Sequence, residues 1–171
     1  MEPSAFSIGL GEDTHRLASG GPLRLGGIDI PHDHQLAGHS DADVLLHAVT
    51  DALLGAAALP DIGQLFPNTD EANHNRDSAD MLADAYQRVS QAGYGVVNLD
   101  CVVSAESPKL ADYSDAIRHR IAGVLKLNPR QVGFKAKTGE GVGPIGRGEA
   151  ITARCVALVS RSAVSPGATE E

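Results

Sequence analysis

Residues 40–59 read SDADVLLHAVTDALLGAAAL. Val44, Leu45, Ala48, Ala52 and Leu53 recur at helical spacing. Ser40 is placed to cap the N-terminus, and Asp41 and Asp43 fall in the expected first turn, where the helix dipole favours acids. Pro60 ends the run. An apolar helix of this length needs a surface to bury against, and the flanking segments supply strands. AFSIGLG (5–11) alternates and predicts extended chain. LRLGGIDI (23–30) is two short alternating runs around Gly26-Gly27, a hairpin signal closed by Pro31.

Further along, residues 60–77 form a long segment rich in Pro, Asn and Asp, expected as a loop. A second helix is predicted over 78–93, ended by Gly93, and a strand over 94–106. After a turn at 107–109 come a third helix (110–127), a strand (131–138), a glycine-rich loop (139–149) and a closing strand (150–160). The expected fold class is α/β: a single-domain, two-layer sandwich of one mixed β-sheet with helices on one face. The domain spans 1–160, and 161–171 is expected to be a disordered tail. The closing strand is apolar in both registers near its end, so the uncovered sheet face calls for a second copy packed sheet to sheet.

Composition narrows function. The 171 residues carry 22 acidic against 14 basic side chains, a formal charge of −8, which disfavours broad nucleic-acid or membrane binding. No apolar run approaches the roughly 20 residues of a membrane span, and MEPSAFSIG lacks the basic flank and apolar core of a secretion signal. Cys101 and Cys155 are far apart in apolar runs and read as reduced, buried residues. A cytoplasmic protein is expected.

Chemistry concentrates in two places. In GEDTHRL (11–17), Asp13 and His15 lie two apart, so in extended chain both project to one side, about 7 Å apart along the backbone. His47 interrupts the apolar helix, with Asp43 at i−4 and Asp51 at i+4, either of which is placed to fix its tautomer. Three such ligands would hold a catalytic metal with an open position; alternatively His47 is an ordinary hydrogen-bonded core histidine. His32, His34, His39 and His74 are expected in loops, and His119 solvated on a helix. The loop KTGEGVGPIGRGE (137–149) offers backbone N–H groups to an anion, with Lys135, Lys137, Thr138 and Arg147 around it. Glu140 suits such a site only if a second divalent ion bridges it to phosphate; otherwise the segment is a flexible connection. It is not a Walker A loop.

GLGEDTHRL (9–17), GHSDADVLLHAVTDALLGAAALPDIGQLFPNTD (38–70), AESPKL (105–110), KAKTGEGVG (135–143) and GRGEAI (146–151) together resemble the 2-C-methyl-D-erythritol 2,4-cyclodiphosphate synthase family, in its order and spacing. The resemblance covers roughly residues 6–160. It implies a metal-dependent phosphorus–oxygen lyase of the non-mevalonate isoprenoid pathway, converting 4-diphosphocytidyl-2-C-methyl-D-erythritol 2-phosphate to the cyclodiphosphate with release of CMP. It implies a homotrimer with active sites between adjacent subunits and an isoprenoid diphosphate in its central channel.

By motif, Asp13, His15 and His47 would hold Zn²⁺, and Glu140 would serve a second ion, Mg²⁺ or Mn²⁺. Catalytic roles would fall to Thr138, Glu140, His39 and Asp51. His39 and Ser40 would face the methylerythritol phosphate, and Asp61 and Gly63 the ribose, with Phe66 and Asn68 nearby. Ala105, Glu106, Ser107, Pro108, Lys109 and Leu110 would cradle cytosine. Lys137 and Thr138 would meet phosphate, and Arg147 would lie near the channel. Asn68 stands where many relatives have Asp, and Lys137 where some have Thr. Two imidazoles and a carboxylate also describe non-haem iron oxygenases, although those present the ligands from barrel strands. A non-catalytic trimer that binds nucleotides or isoprenoid diphosphates is another reading. A fusion with the cytidylyl-transferring domain is not expected in 171 residues.

Overall fold

The computed structural model describes residues 5–161. The sheet runs in the order β4-β1-β7-β5-β6, from β1 (Phe6–Ser19), β4 (His34–Ala37), β5 (Tyr94–Ser104), β6 (Val132–Lys137) and β7 (Ala150–Arg161). Only β5 and β6 pair in parallel; the other neighbours are antiparallel. The predicted hairpin forms as β2 (Leu23–Leu25) and β3 (Ile28–Ile30), a separate two-stranded sheet. Gly26 and Gly27 turn it at φ +64° and +75°, a conformation that glycine adopts without steric cost.

Three helices, α1 (Val44–Ala56), α3 (Ser78–Gln91) and α4 (Ser114–Leu125), cover one face. Alternation along the strands sorts the residues. Ile151, Ala153, Cys155, Ala157 and Val159 of β7 turn to the helices and are fully buried. On the other face Ile8 is 70% exposed, Leu10 65% and Val156 43%. This is the mixed α/β sandwich expected, with an apolar second face. Cys101 and Cys155 are free, buried and opposite one another across β5 and β7. Their mutual contact and burial push the Cys155 thiol far up, so it stays protonated.

Several boundaries differ from expectation. Helix α1 begins at Val44, not Ser40, because Ala42 takes a left-handed φ of +57° and turns the chain first. Asp43, expected in the first turn, is the cap. Its fully buried carboxylate accepts N–H bonds from Leu45 and Leu46, and also from Gly26 and Gly27 of the hairpin turn. One side chain thus starts the helix and pins the hairpin to it. The polar stretch 32–40, expected as a loop, contains β4, paired with the end of β1. Segment 60–77 contains the one-turn helix α2 (Ile62–Leu65) and a 3₁₀ turn, and the glycine-rich loop contains another short helix, α5 (Gly143–Gly146). The third helix starts as a 3₁₀ turn over Leu110–Tyr113. Arg161, assigned to the tail, closes β7, its N–H donating to the Ala5 carbonyl at 2.9 Å. The remainder of the expected tail lies outside the described residues.

Candidate metal centre and substrate hollows

Strand β1 places Asp13 and His15 on the helix-covered face, continuing the alternate positions of Gly9 and Gly11. Those glycines set the height of the helix. A Cβ on Gly9 would stand 1.9 Å from the Ala52 carbonyl oxygen, so α1 lies directly on the bare strand. His47, near the start of α1, is thereby lowered onto the β1 pair. Asp13 Oδ2 lies 2.8 Å from His15 Nε2 and 3.0 Å from His47 Nδ1. The two imidazole rings are 5.2 Å apart between centroids.

Burial alone would raise the Asp13 carboxyl. Hydrogen bonds with His15 and His47, and their charge, outweigh it and hold the group well below the usual carboxylate range. Burial likewise disfavours a charged His15, but the Asp13 carboxylate more than offsets this and raises its pKa. A ligand atom from each of the three residues lies within 4.8 Å of the others. The donor set fits a borderline divalent cation: one carboxylate and two imidazoles, converging with room for a fourth ligand.

The far side of each ring is set by packing. His47 Nε2 lies 2.9 Å from Ser78 Oγ and 3.1 Å from Ser40 Oγ, and the Ser78 hydroxyl in turn donates to Asp41. Asp43 and Asp51, expected to fix the tautomer, are engaged elsewhere. Asp43 is spent on the cap described above, and Asp51 accepts the Ile62 N–H at 2.8 Å, tethering the start of α2. Burial raises the Asp51 pKa despite that bond. His15 Nδ1 is buried without a partner of good geometry, although the Ala37 carbonyl is placed to favour its proton. Gly38 leaves room for that ring: a Cβ there would stand 2.9 Å from His15 Cε1.

A hollow of about 300 Å³ opens over the cluster. His39, Ser40, Asp51, Gly63, Phe66 and Asn68 all line it, as does Asn73. Asp61 flanks it and caps α2, its carboxylate accepting from the Gln64 N–H and side-chain amide at 2.9 and 2.8 Å. Phe66 is 6% exposed, with the Arg76 guanidinium 5.0 Å from its ring centre; it is the apolar anchor of the 60–77 segment.

The remaining expected residues gather apart. Ala105, Glu106, Pro108, Lys109, Leu110, Lys137 and Thr138 line a second hollow of about 180 Å³, which shares no lining residue with the first. Ser107 belongs to the same turn. Thr138 Oγ1 donates to Glu140 at 2.6 Å, while Gly139 N–H donates to Glu106 at 3.0 Å. Among the described residues Glu140 joins no other group of potential metal ligands. Arg147 forks onto Glu149 at 2.8 and 3.0 Å. One chain therefore holds the expected residues in two separate groups and does not bring them together.

The expectation from sequence missed Ser78, Asp41 and Gly38. Ser78 was legible only as a helix start, because no short spacing links it to His47, 31 positions earlier.

In this α/β sandwich a carboxylate and two imidazoles that could hold a metal ion lie under one hollow, and the 105–110 turn lines another, an arrangement that points to an enzyme. Over residues 6–160 the chain matches the model of the YgbB family, and it belongs to that family. It is 55% identical to 2-C-methyl-D-erythritol 2,4-cyclodiphosphate synthase of Rhodopirellula baltica, over 94% of this chain and 96% of the relative. Among solved structures it resembles IspF of Plasmodium falciparum in complex with CDP (31% identity, TM-score 0.82, covering 94% of this chain and 99% of that one). It also resembles the bifunctional IspDF of Campylobacter jejuni (40% identity, TM-score 0.88), covering 91% of this chain but 42% of that longer one. Among the described residues no helix is long and apolar enough to cross a membrane.

Proposed function

We propose that the chain converts 4-diphosphocytidyl-2-C-methyl-D-erythritol 2-phosphate to 2-C-methyl-D-erythritol 2,4-cyclodiphosphate and CMP. The observation that carries this is the convergence of Asp13, His15 and His47 beneath a hollow lined by His39 and Ser40, in a chain 55% identical to a synthase of that name.

In the reaction an oxygen of the substrate's 2-phosphate attacks the β-phosphorus. A new P–O bond closes the ring, the P–O bond to CMP breaks, and CMP leaves; the enzyme is thus a phosphorus–oxygen lyase. The nucleophile belongs to the substrate, so no enzyme nucleophile is needed, and holding both anionic groups in one cleft supplies much of the acceleration. Zn²⁺ held by Asp13, His15 and His47, and Mg²⁺ or Mn²⁺ held by Glu140 with substrate phosphate oxygens, would neutralise the charge that opposes the attack.

His39 and Ser40 orient the methylerythritol phosphate. Asp61 and Gly63 bind the ribose, beside Phe66 and Asn68, and Asp51 steadies α2 beneath them. Residues 105–110 receive cytosine, while Lys137 and Thr138 hold the diphosphate. The working unit is a homotrimer, as the family resemblance implies; the separation of the two groups on one chain and the exposed apolar Ile8, Leu10 and Val156 support such an assembly. Its chains pack sheet to sheet, and each active site is completed by a neighbour. Arg147 then borders a central channel suited to an isoprenoid diphosphate. The expected compartment is the cytoplasm.

The test is incubation with the cytidyl substrate and Mg²⁺, following CMP and the cyclic diphosphate by chromatography. Release of both, abolished by a chelator and restored by Zn²⁺ with Mg²⁺, is the expected result. Absence of the cyclic product from metal-replete protein would overturn the assignment.

A further inference from the structure

Residues 32–34 read His-Asp-His, and none of them has a part in the reaction above. Asp33 is 84% exposed in its side chain, yet its carboxylate folds back between the two rings. Asp33 Oδ1 lies 2.8 Å from His34 Nδ1 and 3.5 Å from His32 Nδ1, and the ring centroids are 5.5 Å apart. One ligand atom from each residue lies within 4.8 Å of the others, the same convergence seen at Asp13, His15 and His47. The backbone beneath them is fixed on both sides. His34 opens β4 opposite Ser19, and Gly20 N–H donates to the Asp33 carbonyl at 3.0 Å. Gly21 packs so closely that a Cβ there would stand 2.0 Å from the His32 carbonyl oxygen. The side chains of His32 and His34 are 15% and 43% exposed, so the trio is held from below and open from above.

We propose that His32, Asp33 and His34 form a second site, on the surface, for a borderline divalent cation of the zinc class. Two imidazoles and a carboxylate favour such ions over Mg²⁺ or Ca²⁺, which prefer all-oxygen sites. Three protein ligands leave coordination positions open to water or to a donor from another molecule. Unlike the strand that carries Asp13 and His15, the chain bends at Asp33, so that its carboxylate and the two flanking rings converge. This site does not depend on the catalytic reading, since it shares no residue with it.

The experiment is zinc uptake by the untagged full chain, stripped by chelator, dialysed against Zn²⁺ and assayed for metal per chain. Wild type is expected to take up two ions, and His47→Ala one. His34→Ala and Asp33→Asn, both altered on the exposed side, are each expected to bind the second ion at least about tenfold more weakly. Their release of CMP should stay at the wild-type rate, which also reports that they fold. The double variant H34A/H47A should bind neither ion tightly. Saturation of wild type at one zinc, or retention of two by both H34A and D33N, would overturn the proposal.

Discussion

Gly11 lies directly beneath Ala48: a Cβ on the glycine would stand 2.0 Å from the helix carbonyl oxygen. Two residues beyond Gly11 is Asp13, and one residue before Ala48 is His47. The contact between bare strand and helix therefore sets the spacing of a carboxylate and an imidazole that could meet around one ion.

Substituting Gly11→Ala is expected to force α1 off the strand. Overpacking of this kind costs about 1–3 kcal/mol, and here it also parts His47 from Asp13. Urea unfolding should show the loss of stability, and zinc titration a weakened site. A variant with both wild-type stability and wild-type zinc affinity would refute the role given to this contact.

Ser78 is expected to act as a positioning residue. Its hydroxyl donates to Asp41 and so accepts from His47 Nε2–H, which favours the tautomer that leaves Nδ1, facing Asp13, without a proton. Ser78→Ala should reduce zinc affinity by roughly 10–100-fold, and turnover should return at high Zn²⁺. Ser78→Thr, which keeps the hydroxyl, should recover most of the affinity. Competition against a colorimetric chelator measures all three proteins.

Glu140→Gln should leave zinc content unchanged while raising the Mg²⁺ or Mn²⁺ concentration needed for half-maximal rate. The amide keeps the shape of the side chain but removes the charge that a hard cation requires. An unaltered metal dependence in initial-rate measurements would remove Glu140 from the second ion.

Acidity should act on the metal-free and metal-bound forms in opposite directions. Because Asp13 raises the His15 pKa, the pair stabilises the metal-free fold. That contribution is fully present below about pH 6.5, the ordinary value for histidine, and is lost as pH rises through the raised one. Zinc requires the unprotonated ring, so its affinity should climb with pH over the same window, by about tenfold per unit while His15 is protonated. Calorimetry of chelated wild type against His15→Gln, and zinc dialysis from pH 5 to 8, test the two slopes. Parallel slopes would contradict the assignment.

Much of the architecture was legible from local pattern. Alternation in AFSIGLG continues through GEDTHRL, and it correctly put Asp13 and His15 on one side of a strand. Gly26-Gly27 specified its own turn. What escaped was whatever depends on contacts between distant segments. Ser40 has the chemistry of a helix cap, but Ala42 bends the chain between it and the helix, and Asp43 is better placed because the hairpin supplies two more donors. Asp43 and Asp51 lie at ideal spacing from His47, yet backbone N–H groups from other segments had already engaged both. Strand β4 has a sequence, His34-Gln-Leu-Ala, too short and polar to announce itself; only its pairing with β1 makes it a strand. The separation of Thr138 and Glu140 from Asp13, His15 and His47 is a property of the folded chain that no motif order could reveal.

The apolar side of the sheet has a consequence for how the activity behaves in dilute solution. In the proposed trimer each chain holds only half of what a turnover needs, so catalysis there is subject to mass action among the chains themselves. Thinning the protein should silence it well before any strand or helix comes undone, and adding inactive but associating copies should revive it.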